Sequence, residues 1–202
     1  MIQKNKTIVE EKLLNEKESL ELISQMILNA QKKMKAKSGS MFLIWGYTCF
    51  LVAISVFTAY QIFGTPMVCF LWWLLPLIGY PLTLRYYRKK DVQAKTIIDR
   101  VISSIWIVIG ISCMVVPVAG MFGAFPILFV ESLMVSIGIT LTGMVIRAKP
   151  VVMGGIIGFI AAYSILFLKG DLWQWQMIAF AFMVLVSMII PGHLANRATK
   201  NL

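Results

Sequence analysis

Glu131 is the only formal charge in the 46-residue run Val101–Ile146. A carboxylate inside so apolar a stretch is expensive to bury and points to function, as a cation ligand or a proton carrier. It also has a purely structural reading, in which it reaches the water interface or bonds a neighbouring hydroxyl. Ser132, Ser136, Thr140 and Thr142 follow on the same run, and Glu131 with Ser136 makes the candidate intramembrane polar site. No Lys or Arg lies within any long apolar segment to pair with this acid. The sole histidine, His193, falls in the polar tail after Pro191-Gly192 and reads as a solvated side chain. Proton relays are usually built as chains of Asp, Glu and His. One acid without partners argues against a proton-driven pump and leaves open a simple ion or solute path.

Other chemistry is scarce. Cys49, Cys69 and Cys113 all lie in apolar segments, are odd in number and show no metal-binding spacing. They read as small hydrophobes rather than a disulfide frame or a zinc site. HExxH, GxSxG, Walker A and paired-acid motifs are absent from the sequence. The chain is therefore expected not to be an enzyme and to need no cofactor or metal, with an intramembrane enzyme kept only as a residual alternative.

These residues must be positioned by membrane helices. The chain of 202 residues is 59% hydrophobic and only 14% charged, with mean hydropathy +0.81. Soluble domains carry about a quarter charged residues. Thirteen of the formal charges fall in residues 1–40, and eight more in 85–100. Six apolar spans separate the charged stretches: Met41–Phe63, Met67–Leu84, two within Val101–Ile146, Pro150–Leu168 and Leu172–Ile190. The 46-residue run would be roughly 69 Å long as one helix, while a ~30 Å hydrocarbon core needs about twenty residues per crossing. It must fold as a hairpin, with its turn near Gly120, Gly123 and Pro126. The predicted fold is all-α, a bundle of six transmembrane helices plus one N-terminal amphipathic helix. The predicted divisions are 1–40 (cytoplasmic helix), 41–192 (membrane domain) and 193–202 (cytoplasmic tail).

Eighteen of the nineteen Lys and Arg residues lie in alternate gaps between spans, and only Lys169 lies in the others. Inner loops carry this excess, so both termini are expected in the cytoplasm. The net charge of +10 is then topological and faces anionic lipid, and no nucleic-acid partner is expected. About forty polar or amphipathic residues precede the first span, unlike a cleavable signal peptide. The first span itself is expected to direct insertion. Trp173 and Trp175 beside the Lys169–Asp171 turn, and Trp45 and Trp106 near inner ends, suit interfacial aromatic belts.

Residues 7–37 read as a helix. Thr7 and Glu10 form a T-x-x-E capping box, and Leu13, Leu20, Ile27 and Met34 recur every seven residues, with Ile23 and Ala30 between them. Glu16 interrupts this stripe. Acidic residues early and Lys32–Lys37 late complement the helix dipole, and Ser38-Gly39-Ser40 is the expected stop. The stripe Leu13, Leu20, Ile23, Ile27 and Met34 is the candidate partner-binding face, for another protein or a second copy; a surface helix on lipid and a solvated stalk are the alternatives. Small residues at Gly154, Gly158 and Ala162 share one helix face suited to close packing, within the chain or between two copies. Pro76, Pro81 and Pro117 are expected to bend their helices.

The run Glu18-Ser19-Leu20-Glu21-Leu22-Ile23-Ser24-Gln25-Met26-Ile27, with Phe42-Leu43-Ile44-Trp45-Gly46-Tyr47, resembles a group of small six-span bacterial membrane proteins of unknown function with an N-terminal cytoplasmic helix. The resemblance is firmest over residues 18–47. It implies a bacterial inner-membrane, multi-pass setting and carries over no functional residue. The leading expectation is a non-enzymatic scaffold or regulatory partner acting through residues 7–37. The rival is a small transporter or channel subunit that uses Glu131.

Overall fold

The computed structural model describes residues 2–89, 97–120, 122 and 125–200. Among these the chain is all-α. Six helical stretches are long and apolar enough to cross a membrane: Ser38–Phe63, Pro66–Tyr86, Ile98–Gly120, Ile127–Val145, Lys149–Phe167 and Trp175–Arg197. The hairpin turn falls between Gly120 and Ile127, where glycine and proline cluster. Part of the basic segment 85–100 lies outside the described residues.

Helix α1 runs unbroken from Ile2 to Phe63, 62 residues, or roughly 93 Å at helical rise. This corrects the expected stop at Ser38-Gly39-Ser40. It also places Thr7 inside the helix rather than at its start; the Thr7 and Glu10 side chains lie outside the described residues. Gly39 serves as a notch. A Cβ there would stand 3.1 Å from both Asn196 Cγ and the Gly192 carbonyl oxygen, so only glycine admits the C-terminal helix so closely. Gly46, seven residues on, does the same against Ile189 and Met188, at 2.9 and 3.2 Å. Gly in a helix costs about 1 kcal/mol relative to Ala. The packing it allows along this seam outweighs that local preference.

The second span begins as a 3-10 helix, Pro66–Trp73, and continues as α2, Leu74–Lys89. Pro76 falls in the first turn of α2, where a missing N–H costs least. Helices α3 (Ile97–Gly120) and α4 (Ile127–Val145) form the predicted hairpin. Helix α4 ends in a Schellman motif: Ala148 N–H donates to the Gly143 carbonyl at 2.9 Å and Arg147 N–H to the Met144 carbonyl at 3.1 Å. Arg147 takes the left-handed conformation, φ 53°, which usually belongs to glycine. The chain turns at once into α5, Lys149–Ala162.

The last span is α6 (Trp175–Val184), a π-helical turn (Leu185–Ile189) and α7 (Ile190–Lys200). Pro191-Gly192 was expected to end it, and instead lies within it. Pro191 offers no N–H to the Ser187 carbonyl and would crowd it in a regular α-helix. The wider π turn just upstream relieves that crowding. Helix α7 then follows α1 past the notch at Gly39.

The core lies among α1, α4, α5 and α6 with its π turn, and includes Ala53, Ile139, Val151, Ile165, Met183 and Val184. The second and third spans are peripheral: 6% and 0% of their most apolar stretches are buried, against 56% for the last. At the end away from the termini, Trp173 meets Tyr60 edge-on with ring centroids 4.6 Å apart, and Trp175 meets Phe57 at 5.4 Å.

Candidate functional site

Three sets of residues were singled out by type and spacing, and the structure places them in three different settings. The first is the arm preceding the first span. Leu20 and Ile23 are 66% and 52% exposed, and Leu22, Met26 and Leu28 beside them are exposed as well. Every residue from 18 to 26 is exposed. Leu13, Ile27 and Met34 lie on the same helix, with side chains outside the described residues. The apolar surface is wider than a two-position seam, because Met26 and Leu28 flank the stripe on either side. Nothing within the chain covers it among the described residues.

The second set is Glu131 and Ser136, which the fold does not bring together. Five residues apart, they point about 140° from one another around α4. Ser136 is fully buried and donates to Met183 Sδ at 3.8 Å, a sulfur that Ser187 also approaches at 3.3 Å. Ser132, Thr140 and Thr142 donate to the carbonyls of Leu128, Ser136 and Gly138 in their own helix, at 2.6, 2.8 and 2.7 Å. None of these hydroxyls donates to Glu131.

Glu131 instead belongs to the α3–α4 seam. Three contacts fix the register. Trp106 Nε1–H donates to Thr142 Oγ1 at 3.1 Å. Ile109 packs on Gly138, and Ile127 packs on Gly120. On antiparallel helices this ladder sets Glu131 opposite Val116, between the levels of Cys113 and Pro117. Glu131 is half-buried, and Cys113 and Cys49 lie within electrostatic reach of it. Cys49 arrives by the same logic: Phe42 of α1 meets Trp106 edge-on at 6.1 Å, and Cys49 and Cys113 each stand seven residues further along their parallel helices. The sequence lists these three residues far apart, and only the paired ladders join them. Among the described residues no group of His, Cys, Asp and Glu has the geometry to hold a metal ion.

The third set is the small face of α5. Gly154, Gly158 and Ala162 are buried, as is Gly155. Gly154 receives Pro191 and the Ser187 carbonyl, and Gly158 receives Ser187 and Ser136, all from the same chain. His193, read from sequence as a solvated tail residue, is exposed but sits on α7, where its Nε2 shares a 2.9 Å hydrogen bond with the Tyr47 hydroxyl. The two rings stand edge-on at 6.1 Å.

No protein-family model, curated protein or solved structure matches this chain.

Proposed function

We propose that this chain is a non-enzymatic docking protein of the bacterial inner membrane, with both termini cytoplasmic and residues 7–37 holding a protein partner. One observation carries the reading: an exposed apolar helical face at Leu20, Ile23 and Met26 is continuous with the first membrane span. Water-facing Leu and Ile in such density mark an interaction surface. Six spans and an even crossing number support placing the arm and tail on one side, and the Lys/Arg distribution supports calling that side cytoplasmic. The absence of catalytic sequence motifs agrees with a binding role.

The partner is a different protein carrying an amphipathic helix, rather than a parallel second copy. Two arms rising from one membrane would align in parallel. Continuing the seven-residue spacing, Lys37 of one would then meet Lys37 of the other on the apolar seam, as Glu16 would meet Glu16. Like charges so placed are destabilising. The lysine cluster instead suits anionic headgroups at the base of the arm, each worth about 1 kcal/mol.

A photo-crosslinker at Leu20 in the full chain, in native membranes, tests this. The expected product is one discrete heterologous adduct, lost with Ile23→Glu. Burying Ile23 contributes about 2 kcal/mol, so the charge should weaken binding at least ~30-fold. Adducts only to lipid, or only to a second copy, would overturn the proposal. So would an unchanged adduct in Ile23→Glu.

A further inference from the structure

Glu131 is not used by the docking reading. It stands about 6 Å along α4 from the helix start at Ile127, and it has no hydrogen-bond or ion-pair partner among the described residues. Across the seam, Pro117 lies inside α3. A proline has no N–H to return to the carbonyl four residues earlier. Here that carbonyl belongs to Cys113, the residue whose level flanks Glu131 in the Trp106–Thr142, Ile109–Gly138 and Gly120–Ile127 ladder. An acid lacking a partner and a backbone acceptor lacking its helical donor thus lie at neighbouring levels of one helix pair. In an apolar surrounding each alone is costly, and an O–H from one to the other satisfies both.

We infer that the Glu131 carboxyl and the Cys113 carbonyl form a proton-binding site between α3 and α4. The proton adds to a carboxylate oxygen from water at the nearby surface, and the resulting O–H donates to the Cys113 carbonyl. Ligand number selects a proton over a metal cation. Calcium takes six to eight oxygens and magnesium six; here Glu131 supplies two, the adjacent Ser132 is fully buried on another face of α4, and among the described residues no group of His, Cys, Asp and Glu could hold a metal ion. The titratable groups facing Glu131 from the helices around it are the thiols of Cys113 on α3 and Cys49 on α1. The docking proposal can fail without affecting this one, since the site lies in the membrane domain and its test does not involve a partner.

Infrared difference spectra of the full chain in liposomes, recorded across a pH step, read the carboxyl directly. The wild type should show one protonated-carboxyl C=O band in the acid state, and Glu131→Gln should abolish it. Pro117→Ala restores an N–H donor to the Cys113 carbonyl, so the band should remain and shift to higher frequency as its O–H loses the acceptor. Cys113→Ala keeps the carbonyl and should leave the band in place. No wild-type band at any pH, or a band that survives Glu131→Gln, would overturn the site. An unshifted band in Pro117→Ala, or a shift in Cys113→Ala as large as in Pro117→Ala, would overturn the carbonyl as its partner.

Discussion

Gly155→Ala, compared with Gly110→Ala, isolates what the close approach of α4 and α5 is worth. A Cβ on Gly155 would stand 2.7 Å from the Thr140 nitrogen and 3.0 Å from its Cα. Those are backbone atoms, and they cannot yield by a rotamer change, so the helices must part. A Cβ on Gly110 meets no heavy atom within 4 Å. Both substitutions gain the same helix propensity, about 1 kcal/mol. Their difference is therefore the overpacking penalty alone, about 1–3 kcal/mol. For a chain of this size each kcal/mol moves the melting midpoint by roughly 2–4 °C. Thermal unfolding in detergent, followed by circular dichroism, should show Gly110→Ala at or above wild type and Gly155→Ala about 2–12 °C below Gly110→Ala. Equal midpoints for the two variants, or the reverse order, would refute the packing argument.

Three further outcomes follow from particular contacts. Arg147→Gly should stabilise the chain by about 1 kcal/mol, because a non-glycine residue in the left-handed region costs that much; Arg147→Ala, which keeps the strain, should not. Thr142→Val removes the acceptor for the Trp106 indole and should cost about 2 kcal/mol, with a change in tryptophan emission that Thr83→Val does not produce. Liposomes carrying the wild type should pass no protons down an imposed pH gradient, because Glu131 has no second acid or histidine on its seam to relay to. A flux abolished by Glu131→Gln would replace docking with transport.

The spans could be read from sequence because lipid imposes a blunt rule: about twenty apolar residues, then a break. Gly64, Gly120, Pro126 and Gly170 sit at real turns, and Gly64 and Gly170 take positive φ, 63° and 61°. The same residue types misled at Gly39 and Pro191-Gly192. Their local signal is a helix stop, but α1 and α7 need each other's glycines to meet, at Gly39 against Gly192. Nothing within a short window reveals that requirement. Trp106 makes a hydrogen bond to Thr142 and a ring contact with Phe42, partners that its place in the sequence does not reveal. Glu131 was visible as an isolated charge. Its setting depends on helix register across α1, α3 and α4, and the apolar stripes that set that register do not single out one partner face.

The unbroken passage of α1 through Ser38-Gly39-Ser40 underlies the whole account, because it makes the arm a rigid extension of the membrane bundle. Spin labels at Leu22 and Leu51, both exposed, on a background with Cys49, Cys69 and Cys113 replaced, measure it in liposomes by pulsed dipolar spectroscopy. A continuous helix places the two backbones roughly 44 Å apart, at 1.5 Å per residue. A single narrow distribution near that distance is the expected result. A broad distribution centred well below it would mean that the chain bends at Gly39 and that the arm moves independently of the bundle.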